Sequence, residues 1–210
     1  MPLRLGHRGA PLKAKENTLE AFALALEAGL DGFELDVQFT EDGVLVVHHD
    51  FTLEGVPVRA LKREDLPPYV PTLEEVLKAF PEAWINVELK SIPGETDGRE
   101  EALARLLGRH PSPRVWVSSF DPLALLRLKR LGVRPLGFLY SVREAEELAP
   151  CLGVEWLHPE ERLLTPEGVA RLKAQGYRLL AWTVNSRARA EELVRMGVDA
   201  LVGDRPEALV

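Results

Sequence analysis

Short apolar runs alternate with helix-periodic segments along the whole chain, and this alternation limits the fold more than any single motif does. The runs are Arg4–His7, Phe33–Val37, Trp84–Lys90, Val115–Phe120, Arg134–Tyr140, Glu155–His158, Arg178–Val184 and Asp199–Val202. Helical patterns cover Thr18–Ala28, Thr72–Phe80, Arg99–Arg109, Pro122–Leu131, Arg143–Leu148, Thr165–Gln175 and Ser186–Met196. Several begin on Thr or Ser, which can cap the first turn, and Thr72-Leu73-Glu74-Glu75 places Glu three residues after the cap. Gly29, Gly132, Gly176 and Gly197 follow helical patterns, where a left-handed residue is wanted. Strand-helix repetition implies parallel strands joined by helical crossovers.

Eight units in 210 residues leave about 26 residues each, near the short limit for a (β/α)8 barrel. Leu131-Gly132-Val133, Gln175-Gly176-Tyr177 and Met196-Gly197-Val198 read as one recurring helix-to-strand turn. A doubly wound open sheet is the alternative, but no Gly-x-Gly-x-x-Gly follows the first run. The expectation is an α/β chain, a (β/α)8 barrel in one domain spanning residues 1–210. The second unit is irregular. Asp42-Gly43 sits between two β-type runs and predicts a tight turn. A short antiparallel hairpin arm should therefore follow strand 2.

Composition narrows the function classes. With 26 basic against 33 acidic residues the net charge is −7, and no basic run suggests a nucleic-acid or acidic-membrane partner. The single Cys151 excludes an internal disulfide framework and a zinc-finger ligand set, and is expected to be a buried or inert thiol. No apolar stretch approaches the length of a membrane span, and the start leaves no room for a signal peptide, so a cytoplasmic protein is expected. Arg outnumbers Lys by 19 to 7, and Asn, Gln, Met and Cys are scarce, which points to a thermophile or to a G+C-rich genome.

In such a barrel the reactive groups belong at the C-terminal ends of strands. Gly6-His7-Arg8-Gly9 ends the first run, an imidazole beside a fixed cation. Asn17 or Thr18 in Glu16-Asn17-Thr18 is expected to cap a helix. Glu34 and Asp36 are two apart on a strand, so both carboxylates share a face. Facing a barrel interior, they would repel unless a cation or proton lay between them. In His48-His49-Asp50 only one imidazole can face the pocket. Glu88 and Lys90 repeat the i, i+2 spacing; they form either part of the site or a mutual salt bridge. Oxygen ligands suit a hard ion such as Mg²⁺ or Ca²⁺, imidazoles suit proton transfer near neutral pH, and Arg and Lys suit a phosphate. The set describes metal-assisted cleavage of a phosphate ester. His110 reads as a surface residue. His158 either lines the pocket from the sixth strand or is structural.

The ordered series His-Arg-Gly-Ala, Glu-Asn-Thr, Glu-Leu-Asp, His-Asp, Pro-Thr-Leu-Glu-Glu-Val-Leu, Glu-Leu-Lys and Trp-Thr-Val-Asn, running from His7 to Gly203, resembles the glycerophosphodiester phosphodiesterase family. The resemblance implies a TIM barrel that hydrolyses a small-molecule glycerophosphodiester to glycerol 3-phosphate and an alcohol. By motif it implies His7 and His49 as the acid/base pair and Glu34, Asp36 and Glu88 as ligands of a divalent metal. It also implies that Arg8 and Lys90 hold the phosphate. His49 rather than His48 matches, because the family's histidine directly precedes the aspartate. Trp182 is either a substrate-pocket wall or ordinary core, and Phe120 is a second, weaker wall candidate. The alternative activity is a phospholipase-type barrel phosphodiesterase that stops at a cyclic phosphate. No exposed basic amphipathic segment is present to dock it on a lipid surface. Phe51–Pro71 is shorter than the family's insertion, so a reduced lid over the leaving-group side is expected.

Overall fold

The computed structural model describes residues 1–210. Eight parallel strands close into a ring: β1 (Leu3–Gly6), β2 (Gly32–Phe39), β3 (Trp84–Leu89), β4 (Val115–Ser119), β5 (Leu136–Tyr140), β6 (Trp156–Pro159), β7 (Arg178–Ala181) and β8 (Ala200–Gly203). Closure comes from β1, which pairs with β8 on one side and β2 on the other. Helices α1 (Leu19–Glu27), α2 (Leu73–Ala79), α3 (Arg99–Arg109), α4 (Pro122–Arg130), α5 (Ala149–Leu152), α6 (Pro166–Ala174) and α7 (Arg187–Met196) fill the crossovers, and α8 (Pro206–Leu209) ends the chain. The (β/α)8 barrel is thus the fold expected from the alternation. No helix is long and apolar enough to cross a membrane.

Two apolar layers hold the ring. Outward strand residues such as Phe33, Val37, Val87 and Leu157 pack beneath the helices. Phe22 of α1 stacks on Phe33 of β2 with ring centroids 4.2 Å apart. Inside the ring Leu5, Trp116, Trp156, Leu180 and Val202 form a second cluster, with Trp116 and Trp156 stacked at 5.1 Å. Strand spacing near β2 depends on a missing side chain. A Cβ on Gly32 would lie 1.8 Å from the Trp84 carbonyl oxygen, so only glycine permits this register.

The arm forms as expected. Leu45–Val47 pairs antiparallel with the end of β2, across the Asp42-Gly43 turn. Beyond it, Thr52–Leu53 and Val56–Pro57 make a second small hairpin on Glu54-Gly55, both at positive φ. Two 3₁₀ turns follow, and Val46, Val58, Leu66 and Val70 give this segment a core of its own. The fifth helix differs from expectation. Arg143–Leu148 is 3₁₀, and α-helix starts only at Ala149, where Pro150 can occupy the first turn but could not supply an amide inside a longer helix.

Candidate active site

The C-terminal ends of the strands open onto a cavity of about 320 Å³. His7, Arg8, Glu34, His49, Glu88, Lys90, Phe120 and Trp182 all line it, so the structure brings nearly every residue singled out in the sequence to one place.

β1 delivers the first group. The His7 amide donates to the Gly203 carbonyl at 2.8 Å, which continues the β1–β8 ladder to the rim. The chain then turns sharply, with Arg8 at φ 53° and Gly9 at φ 90°. A Cβ on Gly6 would meet the Gly9 carbonyl oxygen at 2.1 Å, so this turn needs glycine there. The turn aims the Arg8 amide inward, where it donates to Glu34 Oε2 at 3.1 Å.

β2 and β3 deliver the carboxylates. Glu34 and Asp36 share the inner face, and the register sets Asp36 beside Glu88. The three are buried, and one oxygen from each lies within 4.8 Å of the others. Burial and the neighbouring Asp36 and Glu88 push the Glu34 carboxyl well above the usual range, and burial with Asp36 raises Glu88. Glu34 Oε1 is buried and has no hydrogen-bond partner. An orphaned carboxylate oxygen facing two further carboxylates is the donor set of a hard divalent cation. The residues therefore fit a metal.

Two cations face this cluster. Lys90 Nζ reaches Glu88 at 2.9 Å and Asp36 at 3.6 Å. Arg8 Nε approaches Asp36 at 3.3 Å, while its Nη1 forks onto Glu16 at 3.0 and 3.1 Å. Burial works against both charges, but the carboxylates outweigh it and hold both groups above their ordinary values. The salt bridge between Glu88 and Lys90 and the cavity position of Lys90 thus coexist.

The imidazoles are arranged alike. His7 Nδ1 contacts Asp204 Oδ1 at 2.7 Å and His49 Nδ1 contacts Asp50 Oδ1 at 2.7 Å, so each is left with Nε2 for the cavity. His7 Nε2 stands 4.0 Å from Glu34. The His7 bond holds Asp204 below the usual carboxylate range. His48 turns the other way, with Nε2 on the Thr52 carbonyl at 3.1 Å, as neighbours on an extended chain require. Phe120 and Trp182 meet edge to face at 5.5 Å in the cavity wall. Trp182 also donates to the His158 carbonyl at 2.7 Å, so it is both wall and framework.

The remaining expectations are resolved one by one. Thr18, not Asn17, caps α1. Asn17 sits at φ 57° and spans Asp36, donating to Oδ2 at 2.9 Å and accepting from the Asp36 amide at 3.3 Å. Its tolerance of left-handed backbone was the available signal. His158 is wholly buried, edge-on to the stacked Trp116 and Trp156, where burial pushes it down to about 3. It does not line the cavity. His110 is half-buried and bridges to Glu74 at 3.0 Å. Cys151 is exposed, not buried, because the short α5 turns it outward while Ala149 and Leu152 face the core. Asn86, Leu139 and Thr183 also line the cavity, and Asn185 and Asp204 stand behind His7; the sequence alone does not mark them as site residues. Asn86 and Leu139 hold inward strand positions; Asn185 and Asp204 lie beyond strand ends.

The sequence matches the Glycerophosphoryl diester phosphodiesterase family over residues 7–66 and 55–208. A glycerophosphodiester phosphodiesterase of Caldanaerobacter subterraneus subsp. tengcongensis is 33% identical over 99% of this chain and 96% of its own. The chain belongs to this family. Glycerophosphodiester phosphodiesterase structures share the barrel at full length. An Oleispira antarctica phosphodiesterase, solved with the product sn-glycerol-3-phosphate, superposes with a TM-score of 0.90 at 27% identity, covering 100% of this chain and 95% of that one. The Thermotoga maritima glycerophosphodiester phosphodiesterase gives 0.83 at 28%, covering 99% and 96%.

Proposed function

We propose that this glycerophosphodiester phosphodiesterase hydrolyses small glycerophosphodiesters to glycerol 3-phosphate and an alcohol, with His7 and His49 as the proton-transfer pair. The observation that carries the reading is two imidazoles, each backed by a carboxylate at Nδ1, facing one cavity beside a buried three-carboxylate cluster with an orphaned oxygen. Glu34, Asp36 and Glu88 would hold a divalent cation, Mg²⁺ or Ca²⁺, whose chemistry is to neutralise charge developing on a phosphate oxygen.

Each side chain then has a task. Arg8 and Lys90 present fixed positive charge to the phosphodiester, and Arg8 is tethered by Glu16 so that little side-chain freedom is lost on binding. His7 Nε2, free of hydrogen bonds, takes the proton of the nucleophile, either water itself or the neighbouring glycerol hydroxyl, whose cyclic phosphate a water molecule then opens to glycerol 3-phosphate. His49 Nε2 returns a proton to the departing alkoxide. Phe120 and Trp182 form an apolar wall against which a glycerol carbon face can rest while its hydroxyls meet polar groups.

The test is incubation of purified protein with glycerophosphocholine and Mg²⁺ or Ca²⁺, with and without EDTA. Glycerol 3-phosphate and choline should form, and metal depletion should abolish their release. Full activity after depletion, or a cyclic phosphate as the end product, would overturn the reading. His49→Ala should lose roughly 10²- to 10⁴-fold in turnover, while His48→Ala should lose little.

A further inference from the structure

Between the ends of β7 and β8, Asn185 and Asp204 are locked together, so that the carboxylate behind His7 is itself anchored. Asp204 Oδ1 meets His7 Nδ1 at 2.7 Å, and its Oδ2 accepts from Asn185 Nδ2 at 2.7 Å. Asn185 Oδ1 in turn accepts from the Asp204 amide at 2.8 Å. Because a backbone N–H can only donate, the Asn185 amide has one allowed orientation, with its NH₂ towards the Asp204 side chain. Asp204 thus presents an acceptor oxygen to each neighbour. The oxygen nearer His7 can only receive a proton from it, so Nδ1 must carry hydrogen and Nε2 must carry the lone pair. By contrast, Asp50, behind His49, is strongly exposed and accepts from no other side chain.

We infer that Asp204, oriented by Asn185, is the positioning residue that sets the tautomer of His7 and thereby makes Nε2 the proton acceptor. This rests on the proton-transfer role proposed for His7. Neither residue is argued to touch substrate. The effect is of the kind that separates a carboxylate from an amide behind a catalytic imidazole, where geometry survives and the proton is misplaced.

The clamp makes an unusual demand on substitutions. In Asp204→Asn the side-chain oxygen must accept from Asn185, which turns the new NH₂ towards His7 and drives the proton to Nε2. The double variant Asn185→Asp with Asp204→Asn reverses this. The new carboxylate at position 185 accepts from both the backbone amide and the side-chain NH₂ of position 204, leaving an oxygen facing His7 Nδ1 again.

Two readouts apply, both with Mg²⁺ or Ca²⁺ present. The first is kcat and KM on glycerophosphocholine. The second is the ¹⁵N shifts of the His7 ring above its titration range, assigned by His7→Gln. D204N should lose about 10²- to 10⁴-fold in kcat with KM little changed, and its His7 should carry hydrogen on Nε2. The double variant should recover at least tenfold of that loss and return hydrogen to Nδ1. A D204N enzyme within threefold of the parent, an unchanged tautomer, or a double variant no better than D204N would overturn the clamp. Should D204N not fold, Asn185→Ala keeps the carboxylate without its anchor and should lose severalfold in kcat; no loss overturns the proposal. An active His7→Gln enzyme would instead sink the proton-transfer role of His7, and the ring shifts would still judge the clamp.

Discussion

At the scale of single residues, the carboxylate cluster sets function against stability. Glu34 is held above its ordinary range by burial and then by Asp36 and Glu88, so the metal-free folded chain binds a proton there that the unfolded chain releases at about pH 4.3. Stability of the metal-free protein is therefore lost as pH rises from that value through the elevated folded one. Glu34→Gln keeps an acceptor for the Arg8 amide but cannot ionise. It should raise the melting temperature of the metal-free protein at pH 8, and thermal scans should show no further rise on adding Mg²⁺ or Ca²⁺. The parent should be stabilised in proportion to the logarithm of metal concentration above its Kd. A metal-dependent rise in the variant, or a lower metal-free melting temperature, would contradict the assignment of Glu34.

Elements explain what could and could not be seen in the sequence. Glu34, Asp36 and Glu88 were legible because strands have a period of two and the barrel tells which face is inside. The same period shows that only one of His48 and His49 can face the cavity, while the choice of His49 rested on the resemblance, through the aspartate that follows it. Asp204 was not legible as a partner of His7, since the two are 197 positions apart and only ring closure by β1 and β8 makes them neighbours. Asn185 ends the Trp-Thr-Val-Asn motif but shows no task in the sequence, because its partner lies at the end of the neighbouring strand β8. The fifth helix misled because Arg143–Leu148 has helical composition, while Pro150 acts from outside that window. The segment after the arm carries a prediction of its own. Phe51–Pro71 packs onto Val46 through its own Val58, Leu66 and Val70, and none of its residues lines the cavity. Contacts to the leaving alcohol should then add little selective binding in the transition state. Values of kcat/KM for choline, ethanolamine, glycerol and inositol esters of glycerol phosphate should spread by less than about tenfold, or 1.4 kcal/mol. Bis(p-nitrophenyl) phosphate, lacking glycerol, should be much poorer. A hundredfold preference for one alcohol would mean another segment closes that side.

At the scale of the whole molecule, the barrel is plugged by an aromatic interior that contains one titratable ring. His158 is fully buried, edge-on to Trp116 and Trp156, and accepts from Trp116 Nε1 at 3.2 Å. Its Nδ1 then carries the hydrogen, and that atom has no partner. β5 makes room for the ring: a Cβ on Gly137 would stand 2.6 Å from His158 Nε2. Protonation would add an unpaired charge in this setting, and burial pushes the imidazole down to about 3. The unfolded chain protonates this histidine near pH 6.5 and the folded chain does not until pH falls to about 3. Stability present above pH 6.5 is therefore lost progressively as pH falls between those values, at up to about 1.4 kcal/mol per pH unit. Between pH 6.5 and 5 this comes to about 2 kcal/mol. His158→Gln keeps an acceptor for Trp116 but has no proton to gain. Its stability at pH 7.5 should fall, since the amide fills the aromatic cage less well. Its urea-unfolding free energy should nevertheless decline less steeply with acid than the parent's. Subtracting the two curves removes the carboxylates common to both and leaves the slope of one proton. A difference curve that stays flat from pH 6.5 to 5 would show that the ring is hydrated or paired, and that the barrel centre is not the dry plug described above.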